Sequence, residues 1–316
     1  MARRHIFGPV PSRRLGRSLG IDLLSRKTCS LDCVYCECGP TEELVSERRE
    51  YVPTQDVLDE LDAVLAEAPS LDSITFSGNG EPCLHLHIGK IINYIKDKYP
   101  QYTVTVLTNG TLMTDPVVRA ELARADRVVP SLDAVSEEAF TAVNRPALEL
   151  SNQTIIEGLI RFRQEYAGQL WLEIFIVPGL NDSPEELAKL AAAADRIRPE
   201  RIQINSLDRP PAYGGISAPS PERLQEISAF FSGALPALPI EIVARQFVPG
   251  PASAVPQDCS GEILEILRRR PLALVDLQAQ FHLHVHEAHR IMQHLVETGR
   301  VKPSGSFYQL NKDQDS

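Results

Sequence analysis

The sequence predicts an α/β fold, an open or closed barrel of (β/α) units with a small C-terminal domain, and three observations carry that prediction. Helix-like and strand-like segments alternate from residue 54 onward, which calls for a parallel sheet covered by helices. Gly, Asn and Pro gather just after the strand-like segments, at SGNGEP, LTNG, PSLD, VPGLND and NSLDRPP, and loops at C-terminal strand ends are where such barrels place their chemistry. Over 247–258, FVPGPASAVPQD shifts to Pro, Ala, Gly and Ser as a linker does, dividing the chain into a barrel at 1–246 and a small domain at 259–316.

The opening strand is SLGIDLL (18–24). TQDVLDELDAVLAEA (54–68) sets Val57, Leu58, Leu61, Val64 and Leu65 at helical spacing behind Thr54 as the cap, and LDSITFSG (71–78) is a short buried strand. The same beat continues through helix 88–99 and strand 102–110, helix 115–125 and strand 126–134, helix 151–166 and strand 169–179. Helix 183–197 and strand 201–207, then helix 220–235 and strand 240–245, complete six or seven units. After the linker, SGEILEILRRRP, ALVDLQAQFHL and HVHEAHRIMQHLVETG are helical and RVKPSGSFYQL reads as two short strands, a winged-helix-like pattern.

Composition bounds the function. With 316 residues, 43% apolar and 23% charged, the chain has material for a large core, which excludes disordered and fibrous classes. The first residues lack the apolar region of a secretory signal, and no apolar run approaches the eighteen or so residues of a membrane helix, so the expected setting is cytoplasmic with no membrane partner. Residues 1–30 carry about +6 within a formal net charge of −10, so an acidic bulk follows a basic arm suited to an anionic substrate.

The stretch KTCSLDCVYCECG (27–39) holds four of the six cysteines. Cys29, Cys33 and Cys36 are spaced C-x3-C-x2-C directly after the first strand, and thiolates so clustered suit zinc or an iron-sulfur cluster. A zinc site wants a second ligand pair at a distance, whereas Cys83 and Cys259 stand singly; Cys38 is the one nearby residue able to complete a four-thiolate site. Three ligands on so short a loop suit a 4Fe-4S cube and leave one iron open, as a catalytic site requires.

Taken in order, the cysteine motif with Tyr35 before its last cysteine, SGNGEP (77–82), LTNG (107–110), SLDA (131–134) and VPGLND (177–182) resemble the signature of the radical SAM superfamily over residues 7 to about 245. The resemblance implies a partial (β/α)6 TIM-like barrel of radical SAM type and an oxidoreductase-like enzyme. It makes Cys29, Cys33 and Cys36 ligands of three irons, with S-adenosylmethionine on the fourth. Gly78, Asn79, Gly80 and Glu81 are similar to the family's glycine-rich segment, whose backbone approaches the methionyl group closely; Glu81 is the expected acceptor for its ammonium. A bulky side chain at Gly80 is therefore expected to block the cofactor and spare the cluster. Tyr35, Asn109, Ser131 and Asp133 complete the implied cofactor-binding set. The implied chemistry begins with an electron from a donor such as flavodoxin or ferredoxin; it cleaves S-adenosylmethionine to a 5′-deoxyadenosyl radical that abstracts a substrate hydrogen.

FGPVPSRRLGRSLGIDL (7–23), with GNGEP, NRP (144–146) and DRPP (208–211), resembles a subgroup related to the enzymes that make wybutosine in tRNA, which implies a tRNA base as substrate. Arg13, Arg14, Arg145 and Arg209 either form a cationic wall near the barrel mouth or form salt bridges to the acidic barrel. In the C-terminal domain His286 and His289 are three apart on a helix, with no further ligand at convincing spacing. Its seven basic and seven acidic groups over 260–316 do not make the basic face of a strong DNA reader, so holding a macromolecular substrate or partner is the expected role. The alternative is a regulator in which an Fe-S or zinc site controls the winged helix, but a regulator has no use for SGNGEP, LTNG and SLDA at successive strand ends.

Overall fold

A computed structural model describes residues 4–12, 14–243, 259–281, 283 and 285–311; the linker interval, Arg13, His282 and His284 lie outside them, as does the side chain of His286. The first elements are β1 (Ile6–Ser12), β2 (Gly16–Ile21), β3 (Thr28–Cys29) and β4 (Glu43–Leu44). Alternation follows with α1 (Thr54–Leu65), β5 (Ser73–Phe76), α2 (Ile88–Lys98), β6 (Val104–Thr108), α3 (Pro116–Leu122) and β7 (Arg127–Pro130). Next come α4 (Glu137–Asn144), α5 (Asn152–Glu165), β8 (Gln169–Phe175), α6 (Pro184–Ile197), β9 (Arg201–Asn205), α7 (Pro221–Ala234) and β10 (Ile240–Ile242).

The main sheet runs β1-β2-β5-β6-β7-β8-β9-β10, parallel from β2 to β10, with β1 antiparallel on one edge. This is the open, mostly parallel barrel that the alternating pattern predicts. Pleat geometry sorts its residues. Leu19, Ile21, Ile74, Phe76, Val104 and Val106 join the core formed with the helices. The opposite face of the same strands carries a hydroxyl network, Ser18 to Thr75 at 2.7 Å and Ser73 to Thr105 at 2.9 Å.

Three local expectations change. The basic arm contains β1, whose Pro9 and Pro11 are tolerated because an edge strand needs fewer backbone donors. Thr54 is not a cap: Pro53 precedes the first turn, and the Glu50 carboxylate takes both the N–H and the hydroxyl of Thr54, at 2.8 and 2.6 Å. Between β7 and α5 lies an unforeseen helix, α4, capped by Ser136.

From residue 259 onward stand α8 (Ser260–Leu267), β11 (Leu272–Ala273), α9 (Leu274–Phe281), α10 (Val285–Glu297), β12 (Val301–Ser304) and β13 (Phe307–Leu310). Their small sheet has the order β11-β13-β12. Ile263, Leu267, Leu277, Met292 and Leu295 form a second core, which takes in Val10 of β1, so the edge strand belongs to both halves of the molecule. Among the described residues no helix is long and apolar enough to cross a membrane.

Candidate cofactor site

The cysteine loop is held by backbone on two sides. Thr28, the residue before Cys29, donates its N–H to the Asn79 carbonyl at 3.0 Å and accepts the Glu81 N–H at 3.1 Å. This staples the cysteine loop to the glycine-rich loop after β5. Further along, Asp32 and Val34 donate to the carbonyls of Asn144 and Val143, both at 2.9 Å, which seats the loop on the end of α4.

Glycine is required where these loops meet. Gly78 and Gly80 sit at φ of 132° and 148°, conformations that side chains rarely adopt. A Cβ at Gly78 would fall 2.4 Å from the carboxyl carbon of Asp22, and one at Gly80 would fall 1.7 Å from the Thr28 carbonyl oxygen. The atom against Gly80 thus belongs to the strand that carries Cys29, so a side chain there would disturb the cysteine loop itself. On this geometry the cofactor site and the cluster are expected to be disturbed together, whereas the sequence alone predicts that the cluster is spared.

Each motif sulfur faces a nitrogen donor. Asn109 Nδ2 lies 3.4 Å from Cys29 Sγ, Asn144 Nδ2 lies 3.3 Å from Cys33 Sγ, and Lys27 Nζ lies 2.6 Å from Cys36 Sγ. Cys38 Sγ lies 3.4 Å from the Gly78 carbonyl oxygen. A hydrogen bond from Cys38 and the Lys27 ammonium hold the Cys36 thiol down at about 5. Burial and the Glu81 charge push Cys29 up to about 12, and burial with the Asp133 charge pushes Cys33 up as well. Burial would lower Lys27, but the facing Cys36 and Cys38 outweigh it and keep the ammonium charged.

This donor set fits a 4Fe-4S cluster. Iron-bound thiolates keep negative charge, which N–H donors and an ammonium stabilise, and the three sulfurs lie on one loop with a partner each. Among the described residues no three Cys, His, Asp or Glu side chains converge on one point as a single ion requires.

The other singled-out residues form a connected frame. Glu81 is 2% exposed and its carboxylate is occupied, accepting from Cys83 N–H at 3.0 Å, Thr108 hydroxyl at 2.7 Å and Asn109 N–H at 2.6 Å. Asn109 also donates to Ser30 at 2.9 Å. Ser131 donates to Glu173 at 3.3 Å, inside the barrel. Asp133 accepts from the Tyr35 hydroxyl at 2.5 Å, Asn144 Nδ2 at 2.7 Å and the Phe175 N–H at 2.9 Å, while the Tyr35 ring stacks on Phe175 at 3.7 Å.

A small cavity is lined by Tyr35, Asn109, Ser131, Asp133 and Asn144. A larger one of about 1100 Å³, lined by Lys27, Cys38 and Asn79 among others, opens between the cysteine loop and the C-terminal elements.

Among the described residues, which leave out Arg13, the arginines of the expected wall are each taken up by a separate partner. Arg14 pairs with Glu173 inside the barrel, Arg145 lies over the Tyr213 ring at 4.1 Å, and Arg209 is buried against Glu37 at 2.9 Å. Each is drawn to a partner its own loop happens to meet, which sequence spacing does not report. Sequence spacing does not mark Lys27, Asp22 and Asn144 as site residues. For Asn144 there was a signal: SEEAFTAVN carries a Ser cap, two acids in the first turn and apolar Ala139, Phe140 and Val143 at helical spacing.

Comparison with known proteins finds a matching family and several relatives. The family described as the radical SAM superfamily matches residues 25–191, a span that includes the four loop cysteines, the glycine-rich loop, Asn109, Ser131 and Asp133. The chain is 34% identical over 272 residues to a UPF0026 protein of Helicobacter pylori, covering 85% of each. It is 31% identical over 299 residues to a Brachyspira hyodysenteriae protein named GTPase Obg, covering 95% of this chain but 43% of that one, so it spans less than half the length of that relative. A solved structure described as TYW1 with a lysine-pyruvate adduct bound superposes with a TM-score of 0.52 at 15% identity, over 72% of this chain and 76% of that one. At that identity the likeness concerns the fold. Members of the matched family use a 4Fe-4S cluster and S-adenosylmethionine, and with more than half of its length matched, the chain belongs to the radical SAM superfamily.

Proposed function

We propose that this chain is an enzyme that holds a 4Fe-4S cluster on Cys29, Cys33 and Cys36 and S-adenosylmethionine against Gly78, Asn79 and Gly80, and that it acts on a tRNA base. The observation that carries the reading is the pair of backbone bonds from Thr28 to Asn79 and Glu81, which fixes the cysteine loop against the glycine-rich loop. When bound, these cofactors supply one-electron cleavage to a 5′-deoxyadenosyl radical that removes a substrate hydrogen.

The chain's residues then have separate tasks. Asn109, Asn144 and Lys27 hold charge on the sulfurs. Glu81, with its carboxylate already occupied, acts through Asn109 by fixing that residue's backbone. Tyr35 and Asp133 lock the cysteine loop to the end of β8, and Ser131 presents its hydroxyl inside the barrel beside Glu173. Residues 259–316 are read as a winged-helix-like domain that helps to hold a macromolecular substrate, and the electron comes from a flavodoxin-like or ferredoxin-like protein in the cytoplasm. The tRNA assignment is supported by the wybutosine-type segment at 7–23 and its basic arm.

The test is anaerobic reconstitution with iron and sulfide. It should give about four irons per chain, 5′-deoxyadenosine on reduction with S-adenosylmethionine, and neither in Cys33→Ala. Stoichiometric zinc in anaerobically purified protein would sink the cluster. Comparing modified nucleosides between a deletion strain and its parent tests the substrate, and an unchanged profile moves it to a peptide or small anionic metabolite.

A further inference from the structure

The C-terminal elements reach the cofactor loops through one buried ion pair and one partly buried one. Arg269, at the end of α8, places Nε 3.1 Å from Oδ2 of Asp22, and the two side chains are 7% and 2% exposed. The other oxygen of Asp22 accepts the backbone N–H of Asn79 at 3.3 Å and of Leu24 at 3.2 Å. Gly78 packs on the same carboxylate so closely that no Cβ fits between them. Arg269 is itself fixed by donation to the carbonyls of Glu265 and Arg4, both at 2.7 Å, and lies over the Phe7 ring at 4.7 Å.

A second chain of contacts runs to the cysteine loop. Arg209, 6% exposed in the loop after β9, pairs with Glu37 at 2.9 Å and with Asp276 of α9 at 3.5 Å. Glu37 stands between Cys36 and Cys38. Asp276 is anchored in turn by accepting the Ala273 N–H at 2.8 Å.

We propose that the C-terminal elements are part of the cofactor machinery: Arg269 is a positioning residue that holds Asp22 beneath Gly78 and Asn79, and Asp276 does the same for Glu37 through Arg209. The proposal rests on the reading of the glycine-rich loop as the S-adenosylmethionine site. Its physical basis is that a carboxylate buried without its cation is costly, so the loop resting on Asp22 shifts or hydrates when Arg269 is lost. Removing both charges leaves nothing to compensate, and the loop settles back.

The experiment compares Arg269→Gln with the double variant Arg269→Gln, Asp22→Asn, each in cluster-loaded protein. The dissociation constant for S-adenosylmethionine, read by equilibrium dialysis, should rise about tenfold or more in the single variant and return most of the way in the double. Amide hydrogen exchange at Asn79, read without cofactor, should quicken in the single variant and recover in the double. Parental affinity and exchange in a folded single variant overturn the proposal, as does a loss that the double variant fails to recover. Should Arg269→Gln not fold, Asp276→Asn takes its place: faster exchange at Glu37 supports the proposal and parental exchange there overturns it. A parent protein that binds no S-adenosylmethionine defeats the reading of the site, while exchange at Asn79 still decides the coupling.

Discussion

Glu81 accepts the backbone N–H of Asn109 across 2.6 Å, joining the loop after β5 to the loop after β6. Asn109 in turn donates to Cys29 Sγ, so one buried carboxylate orients a residue that touches both the cysteine loop and the small cavity. Glu81→Gln keeps the shape but weakens charge-assisted bonds from three donors and can leave an amide hydrogen unpaired. It should cost about 1–3 kcal/mol in thermal or urea unfolding and weaken S-adenosylmethionine binding in the same preparation. Unchanged binding with lowered stability would show that Glu81 serves the fold alone.

Gly80→Ala tests the contact with Thr28. A methyl 1.7 Å from the Thr28 carbonyl cannot be accommodated by a side-chain rotation, because the obstacle is backbone. The variant should lose about 3 kcal/mol or more of stability and also retain less iron after reconstitution. A stable variant with full iron and no cofactor binding would restore the simpler view of this glycine.

Asn144→Leu removes the donor to Cys33 and one of the donors to Asp133 while keeping the apolar contacts of α4. With less stabilisation of negative charge on sulfur, the reduction potential of the reconstituted cluster should become more negative. A redox titration of parent and variant checks it, and a potential shifted upward would contradict the assignment of this donor.

Glu186 of α6 supports the strand end that carries Ser131 and Asp133. Burial raises its carboxyl, but the N–H groups of Val135 and Ser136 and the Ser136 hydroxyl outweigh it and hold the group below its ordinary 4.5. A depressed folded value gives stability that is present above 4.5 and lost as pH falls through the lower folded value. Glu186→Gln should therefore cost about 1–2 kcal/mol at neutral pH, and less in more acid solution, measured as unfolding free energy across that range. An equal loss at every pH would remove the titration from the account.

Much of the architecture was legible because it is local. Helix and strand periodicity located the repeating units from α1 to β10, and the helices from α8 to α10 likewise, with errors concentrated at the ends. The edge strand β1 was masked by its own prolines and by the arginines that flank it, a composition that reads as a loop until a partner strand is supplied. α4 was missed because its single turn-and-a-half of apolar residues follows a strand end already crowded with turn formers. The arginines at 14, 145 and 209 were visible as charges, but nothing near them in the chain named their partners.

By itself the sequence determined the alternating units, the spacing of Cys29, Cys33 and Cys36, and the order of the loops after the strands. These are properties of periodicity and of short segments, where a residue's neighbours in the chain are also its neighbours in space. Only the tertiary structure decided which nitrogen faces each sulfur, that Gly80 is required by the Thr28 carbonyl, and that Arg269 meets Asp22 across 247 residues. Such pairings depend on where whole elements come to rest, and burial of apolar faces sets that position without leaving a mark in the local spacing of the charges it brings together.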